Sequence, residues 1–431
     1  MAKVLLIGHN VLDARTAFGK TLISFFQDWD REDLAELYFH SEVPTTNVCS
    51  QYFRITDTDA LRSVFTVKRK SAGRSFDQAQ VDTKRQSSRV DTGIKQKLYS
   101  FGRKRTSGIY IARNMVWKLS KWYSEELQQW ISAFSPDVIF FASGDYAFAY
   151  DIVYTISKKF DIPVVIYCCD DYYLNRANPD SILSRFVHAG LMRSVRRCIS
   201  RACGMIAICD KMTQAYRALF DLPVHSVYTG YSAKREADVN GNGIVYLGNL
   251  GFSRHESLVD IGRALRHLSA KTGDDLYLDV YSAENREQIL RELTEENGIR
   301  FHGSVGSEDV KRIIAQSRLV VHTESFQPRN IYKVQYAIST KIADLLASGR
   351  CIFAYGPDEV ASMEYLAENA AGCVVNSKER LEEELRDILY NADRRLRIVK
   401  NAEDLANKNH SSENVSGVVR KIIENAVTKE G

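Results

Sequence analysis

The chain has 431 residues, 45% hydrophobic and 26% charged, with seven Pro and 24 Gly. That is the make-up of an ordinary globular protein of about two to three domains, and it excludes disordered and collagen-like classes. The formal charge of +4 averages unlike parts: Arg62 to Trp122 hold 16 Lys and Arg against three Asp, a local +13, which leaves −9 for the remainder.

No apolar run approaches the roughly 18 residues that span a bilayer. The apolar stretch after Met1 is too short for a signal peptide and reads as a first strand, so a cytoplasmic protein is expected. The eight cysteines form no C-x-x-C pair and sit mostly in apolar stretches, as reduced core thiols do.

Short Val- and Ile-rich runs alternate with segments of helical period, which predicts an α/β fold of parallel sheets flanked by helices. Strands are expected at Val4 to Gly8, Leu37 to His40, Val138 to Ala142, Val164 to Cys168 and Met205 to Ile208. A second series falls at Ile244 to Leu247, Leu276 to Tyr281, Ile299 to His302, Leu319 to His322, Cys351 to Ala354 and Cys373 to Val375. Between them, the polar, Gly/Asn-rich 233–243 reads as a linker. Two domains follow, 1–232 and 244–410, with 411–431 as a terminal helix able to pack back on the first. Open parallel sheets bind ligands at the carboxyl ends of their strands, which places a site in a cleft between the domains.

The first domain is interrupted by 68–108, a Lys/Arg/Ser/Gln-rich loop insertion. From Ile109 to Phe134 apolar residues recur at spacings mostly of three and four, predicting one amphipathic helix that ends before Ser135-Pro136. It is either a core-facing helix with a solvated basic side, or a membrane-surface element whose Arg113, Lys118, Lys121, Trp117 and Tyr123 meet anionic headgroups.

Asp57-Thr-Asp59 has the D-x-D spacing of a metal site but sits on a polar turn ahead of Ala60 to Val64, so helix capping is the expectation. Gly241-Asn-Gly243 precedes its strand, the wrong order for a dinucleotide fingerprint. His302 and His322, at strand ends, read as satisfied core residues.

The most informative stretch is Ser339 to Gly356, STKIADLLASGRCIFAYG. Ser339 and Thr340 can cap a helix over Ile342 to Ala347, and free N–H groups, a hydroxyl and a Lys in its first turn together make an anion pocket. Lys341 there opposes the helix dipole, a conflict that an anionic ligand resolves.

This segment resembles one in the family 4 (group 1) retaining glycosyltransferases of bacterial surface-polysaccharide pathways, which have the GT-B fold of two Rossmann-like domains facing each other across a cleft. The match runs through Ser339, Lys341, Leu346 to Arg350, Ile352 to Pro357 and Ala371 to Val375. Val245 to Gly251, followed by Arg254 and Leu258, is similar to the family's donor-diphosphate segment. The resemblance implies a metal-independent hexosyltransferase without a cofactor, the nucleotide diphosphate sugar being a substrate. It assigns Arg254 and Lys341 to the phosphates, Ser339, Thr340 and Gly19 to contacts beside them, and Asp344 to the ribose.

Two departures stand out. Asp344 replaces the second of the family's paired Glu, and Tyr336 stands where the first is expected; Glu324 supplies that acid if 327–338 is an insertion, and then faces the donor sugar. In the first domain Phe18-Gly19 stands for a Gly pair. A His-Asp pair is missing after strand Val164 to Cys168, where Asp170 and Asp171 become the candidates that orient the acceptor, with Asp145 a weaker one. The partners implied are a glycan or lipid-linked acceptor and, through the basic segment, an anionic membrane surface. A nucleotide-sugar 2-epimerase on the same scaffold, and a nucleic-acid-binding protein using the basic segment, are the alternatives.

Overall fold

The computed structural model describes residues 1–65, 72–77, 79–81, 107–175, 181–231 and 241–428. Most of the basic insertion and of the 233–243 linker lies outside them. The chain divides into two compact units, residues 1–227 with 415–431, and residues 228–414.

Unit 1 is built on an eight-stranded sheet in the order β4-β3-β2-β1-β5-β6-β7-β8. Its strands are β1 (Val4–Gly8), β2 (Leu34–Tyr38), β3 (Gln51–Arg54), β4 (Arg74–Asp77), β5 (Val138–Ala142), β6 (Val164–Cys168), β7 (Ala202–Ala207) and β8 (Val224–Ser226). Among the described residues only the β3/β4 pair is antiparallel. β1, β5 and β6 are buried along their whole length, which is why they read as continuous apolar runs. β3, β4 and β8 were not legible: each is only three or four residues long and carries polar side chains.

The helices of unit 1 include α1 (Ala17–Phe26), α2 (Asp57–Phe65), α3 (Ser107–Leu119), α4 (Glu125–Phe134), α5 (Ala147–Phe160), α6 (Ile182–Ile199) and α7 (Asp210–Leu219). The single helix expected over 109–134 is thus two. Ser124 starts α4 by accepting the Leu127 N–H at 3.2 Å, so an apolar period that runs on in sequence is cut by a cap. Asp57-Thr-Asp59 does open a helix, with Thr56 and Asp59 exchanging hydrogen bonds as a capping box.

Unit 2 carries a parallel six-stranded sheet, β11-β10-β9-β12-β13-β14. The strands are β9 (Gly243–Leu247), β10 (Leu278–Tyr281), β11 (Ile299–Gly303), β12 (Ser317–Thr323), β13 (Cys351–Tyr355) and β14 (Cys373–Val375). Its helices include α8 (Arg254–Thr272), α9 (Ser307–Ala315), α10 (Pro328–Val334), α11 (Lys341–Leu346), α12 (Ala361–Glu368), α13 (Leu381–Tyr390) and α14 (Ala392–Leu405). The closing helix, α15 (Ser412–Thr428), joins unit 1 from Val415 onward, where Arg420 lies 5.2 Å over the Trp29 ring and donates to the Asp28 carbonyl. All eight cysteines are free thiols, six of them buried. Among the described residues no helix is long and apolar enough to cross a membrane.

Candidate active site

In each sheet the strand order reverses beside the first strand, between β1 and β5 in unit 1 and between β9 and β12 in unit 2. Loops leaving the carboxyl ends of such neighbours diverge and open a crevice, the usual ligand position in open α/β sheets.

In unit 2 that crevice holds an ion pair. Glu324, one residue past β12, is 3% exposed, and its two oxygens accept from Arg254 Nε and Nη2 of α8, each at 3.0 Å. Ser257 Oγ donates to the Glu324 carbonyl at 2.8 Å, and the Glu324 N–H donates to the Tyr355 carbonyl at 3.1 Å. Burial pushes the Glu324 carboxyl up from its ordinary range, while Arg254 and Lys341 pull it back. With a guanidinium fork on both oxygens the carboxylate is ionised at neutral pH. His322 lies 3.7 Å from Glu324, but burial holds its pKa down to about 3, so it is a neutral ring bonded to Ser362 at 2.9 Å. His322 is the satisfied core residue that was expected. His302 is not: it is exposed and pairs with Asp279 at 2.7 Å.

Lys341 opens α11 without the expected hydroxyl cap, since Thr340 is helical and makes no capping bond. The lysine turns away from its own helix and donates from Nζ to the Leu247 carbonyl at the end of β9, 3.1 Å away. Gly248 permits this path: a Cβ there would stand 2.2 Å from Nζ. The protein-facing surroundings and then Arg254 lower the Lys341 pKa to about 8, although the residue keeps access to solvent. The conflict with the helix dipole is therefore relieved by moving the charge to the neighbouring crevice. Ser339, Thr340 and Asp344 are half-buried on the same turn, and Tyr336 is half-buried just before it.

The loop that delivers Arg254 is strained. Phe252 and Ser253 have φ of 55° and 58°, a region that non-glycine residues seldom occupy. Buried Asn330, on α10, clamps it by donating Nδ2 to the Phe252 carbonyl at 2.9 Å. Neither Asn330 nor Gly248 stood out in the sequence, because their roles depend on partners 78 and 93 positions away: Phe252 and Lys341.

The crevice of unit 1 is covered by α3. Arg113 lies 4.1 Å over the Tyr146 ring, donates to Asp57 at 2.9 Å and reaches His9 at 3.4 Å. Tyr110 bonds Asp145, and buried Trp117 donates to Asp57 at 2.7 Å while stacking 4.3 Å from Phe148. Arg113 and Trp117 are thereby turned inward, as the core-facing reading has it and the headgroup reading does not.

The two adjacent acids after β6 divide as well. Asp171 accepts from the N–H groups of Tyr173, Leu174 and Asn175 and from Tyr216 Oη at 2.8 Å, so its carboxylate builds the turn. Asp170 is exposed. Gly19 is buried, and its N–H is taken by the Thr16 side chain that caps α1. A Cβ at Gly19 would meet the Asp13 carbonyl at 2.0 Å, so this glycine lets the β1–α1 loop fold onto its helix.

A family model described as glycosyl transferase-like matches residues 262–420. No curated protein matches the chain. Among solved structures, HepE of Anabaena in complex with UDP aligns with a TM-score of 0.64 at 12% identity, over 98% of this chain and 99% of that one. The α,α-trehalose 6-phosphate synthase of Burkholderia multivorans aligns with a TM-score of 0.61 at 11% identity, over 100% of both chains. An E. coli trehalose-6-phosphate structure bound with UDP-2-fluoro glucose gives 0.61 at 9% identity, over 99% of each. The chain therefore has the GT-B glycosyltransferase fold, as its motifs implied.

Proposed function

We propose that the chain is a retaining, metal-independent glycosyltransferase of family 4 type. It moves a hexose from a nucleotide diphosphate sugar to a hydroxyl of a glycan or lipid-linked acceptor in cell-surface polysaccharide synthesis. The observation that carries this reading is the cluster of Arg254, Glu324 and Lys341 at the unit 2 crevice, two cations against one carboxylate. Cleavage of the sugar–phosphate bond leaves negative charge on the departing diphosphate, and a net positive site fixed before the reaction stabilises it. Lys341, whose ammonium is held by the Leu247 carbonyl, binds the phosphates. Arg254 contributes from within its pair with Glu324. The Ser339 and Thr340 hydroxyls flank the phosphates and Asp344 takes the ribose.

On the acceptor side Asp170 orients the attacking hydroxyl, while Asp171 and Gly19 hold their loops in shape. The presence of UDP or a UDP sugar in structures of the same fold supports the donor class. A cytoplasmic enzyme at the inner face of an anionic membrane suits a lipid-linked acceptor. Lys341→Ala should lower nucleotide-sugar turnover at least about a hundredfold with an unchanged melting temperature, as loss of a transition-state charge contact does. Unchanged turnover would remove the assignment. Product analysis with one labelled donor distinguishes transfer from epimerisation.

A further inference from the structure

The helices on one flank of unit 1 have outward faces that a water-exposed surface does not explain. On α3, Arg113 and Trp117 point inward, and the opposite stripe carries Met115 and Leu119, the latter 62% exposed. On the neighbouring α6, Leu191, Val195 and Cys198 face the core, while Ile182, Leu183 and Phe186 stand outward, Ile182 at 83% and Phe186 at 70% exposed. α3 packs against α6, so the two apolar stripes lie on neighbouring helices. Isolated exposed apolar residues are ordinary; repeated pairs at helical spacing on adjacent helices mark an interaction site.

The two helices themselves bring only positive side chains to this face, and one neighbouring acid meets it: Asp151 of α5 pairs with Arg197 at 3.2 Å. α3 and α6 together hold six Lys and Arg and no Asp or Glu; of the six, Arg113 is turned inward onto Asp57. Along the carboxyl-terminal half of α6, Met192, Arg193, Arg196 and Arg197 line an open depression of about 650 Å³. The helix dipole accounts for Arg196 and Arg197 in the last turn. It does not account for Arg193, nor for the apolar amino-terminal end. Because α6 precedes β7 and runs antiparallel to it, Ile182 to Phe186 sit at the carboxyl edge of the sheet, the edge that carries the crevice.

We propose that the outward faces of α3 and α6 dock unit 1 on an anionic lipid bilayer, with Ile182, Phe186, Met115 and Leu119 entering the interface and Arg193 and Arg196 contacting headgroup phosphates. Charge selects this occupant. Residues 82–106 of the same chain carry eight Lys and Arg against two Asp, and a second copy would present the same basic face, so both are repelled where anionic lipid is attracted. The inference gives a place for the lipid-linked acceptor of the proposed function, but the binding itself does not depend on that reading.

The test is flotation of the full chain with vesicles of phosphatidylcholine alone or with about one-third phosphatidylglycerol. The chain should float only with the anionic vesicles, less at high salt. Ile182→Ser/Phe186→Ser should bind at least about tenfold more weakly at an unchanged melting temperature, since two apolar side chains are lost from the interface. Arg193→Glu/Arg196→Glu should weaken binding to the anionic vesicles as well. A wild type that does not float, or surface variants that float like it, overturns the proposal. So does a wild-type dimer that Ile182→Ser/Phe186→Ser converts to monomer, because a second copy then covers the face. Lys341→Ala should float normally and the surface variants should keep soluble nucleotide-sugar turnover. Failure of the active-site reading and failure of this one therefore give different results.

Discussion

The two crevices occupy equivalent places in their sheets and are furnished in opposite ways. In unit 2 the loops after β9 and β12 bring Arg254, Glu324 and Lys341 together around a buried carboxylate, with a lysine whose pKa is lowered to about 8. In unit 1 the loops after β1 and β5 are roofed by α3, and His9, Tyr146, Arg113 and Asp57 bond mainly to one another. A charge held ready for a ligand is the more informative arrangement, because a structural network satisfies its members and leaves no net field. Unit 2 thus presents two cations against one carboxylate, and unit 1 a network of groups paired with one another.

The largest expected effect comes from breaking the ion pair. Glu324 has a side chain only 4% exposed, so Arg254→Ala leaves a carboxylate without its fork in a dry site. The expected loss is about 3–5 kcal/mol of stability in unit 2, read by hydrogen exchange in β9, β12 and α8. Arg254→Ala/Glu324→Gln should recover part of that loss while activity stays low, because the buried charge is gone but the phosphate contact is not restored. If Arg254→Ala leaves exchange in unit 2 unchanged, the pair is not structural.

Much of the fold and part of the site could be read from the chain. The long, fully buried strands β1, β5, β6 and β13 announced themselves as apolar runs, and the Ser339 to Gly356 segment carried its own motif. The short strands β3 and β8 and the break between α3 and α4 did not, since a four-residue polar strand and a serine cap leave little periodic signal. Asp170 and Asp171 were equivalent in sequence; only the fold shows that Asp171 accepts three backbone N–H groups. Arg254 and Glu324 were each named, but as independent contacts. That they form one pair depends on β9 lying next to β12, a sheet order the sequence does not spell out.

Acid and base should act differently on the two units, with a smaller effect than loss of the pair. Glu36, on β2 under the β1–α1 loop, accepts the Leu12 N–H at 3.0 Å through Oε1, while Oε2 is buried without a hydrogen-bond partner. Burial raises its pKa from 4.5 to about 8. The unfolded chain releases that proton first, so the stability Glu36 contributes is full below about pH 4.5 and declines as pH rises through 8. In unit 2 burial lowers His322 to about 3 and His410 to about 4, both from 6.5. Their contribution is full above pH 6.5 and is lost as pH falls toward those values. Exchange protection in unit 1 should therefore weaken between pH 5 and 8, while that of unit 2 weakens below about 6. Glu36→Gln keeps the acceptor for Leu12 and removes the charge, so it should stabilise unit 1 by roughly 1–3 kcal/mol at pH 8 and by little at pH 4. Equal effects at the two pH values would mean that Glu36 does not titrate in this range.

The finest separation of the two crevices is the pH dependence of ligand binding at unit 2. Lys341 has a pKa of about 8 in the unliganded protein, and a diphosphate placed beside its ammonium would raise that value. Binding then takes up a proton wherever the free lysine is neutral. Affinity for a nucleoside diphosphate, whose terminal phosphate itself takes up a proton near pH 6, should be level from about pH 7 to 8 and fall by up to about tenfold per pH unit above that, until the pH passes the higher pKa of the complex. Calorimetry in buffers of different ionisation heat would register the proton directly. Lys341→Arg, which stays cationic, should give a flat affinity profile over the same range even if the binding is weaker overall. A slope that persists in Lys341→Arg would assign the titration to another group and leave Lys341 as a fixed positive charge.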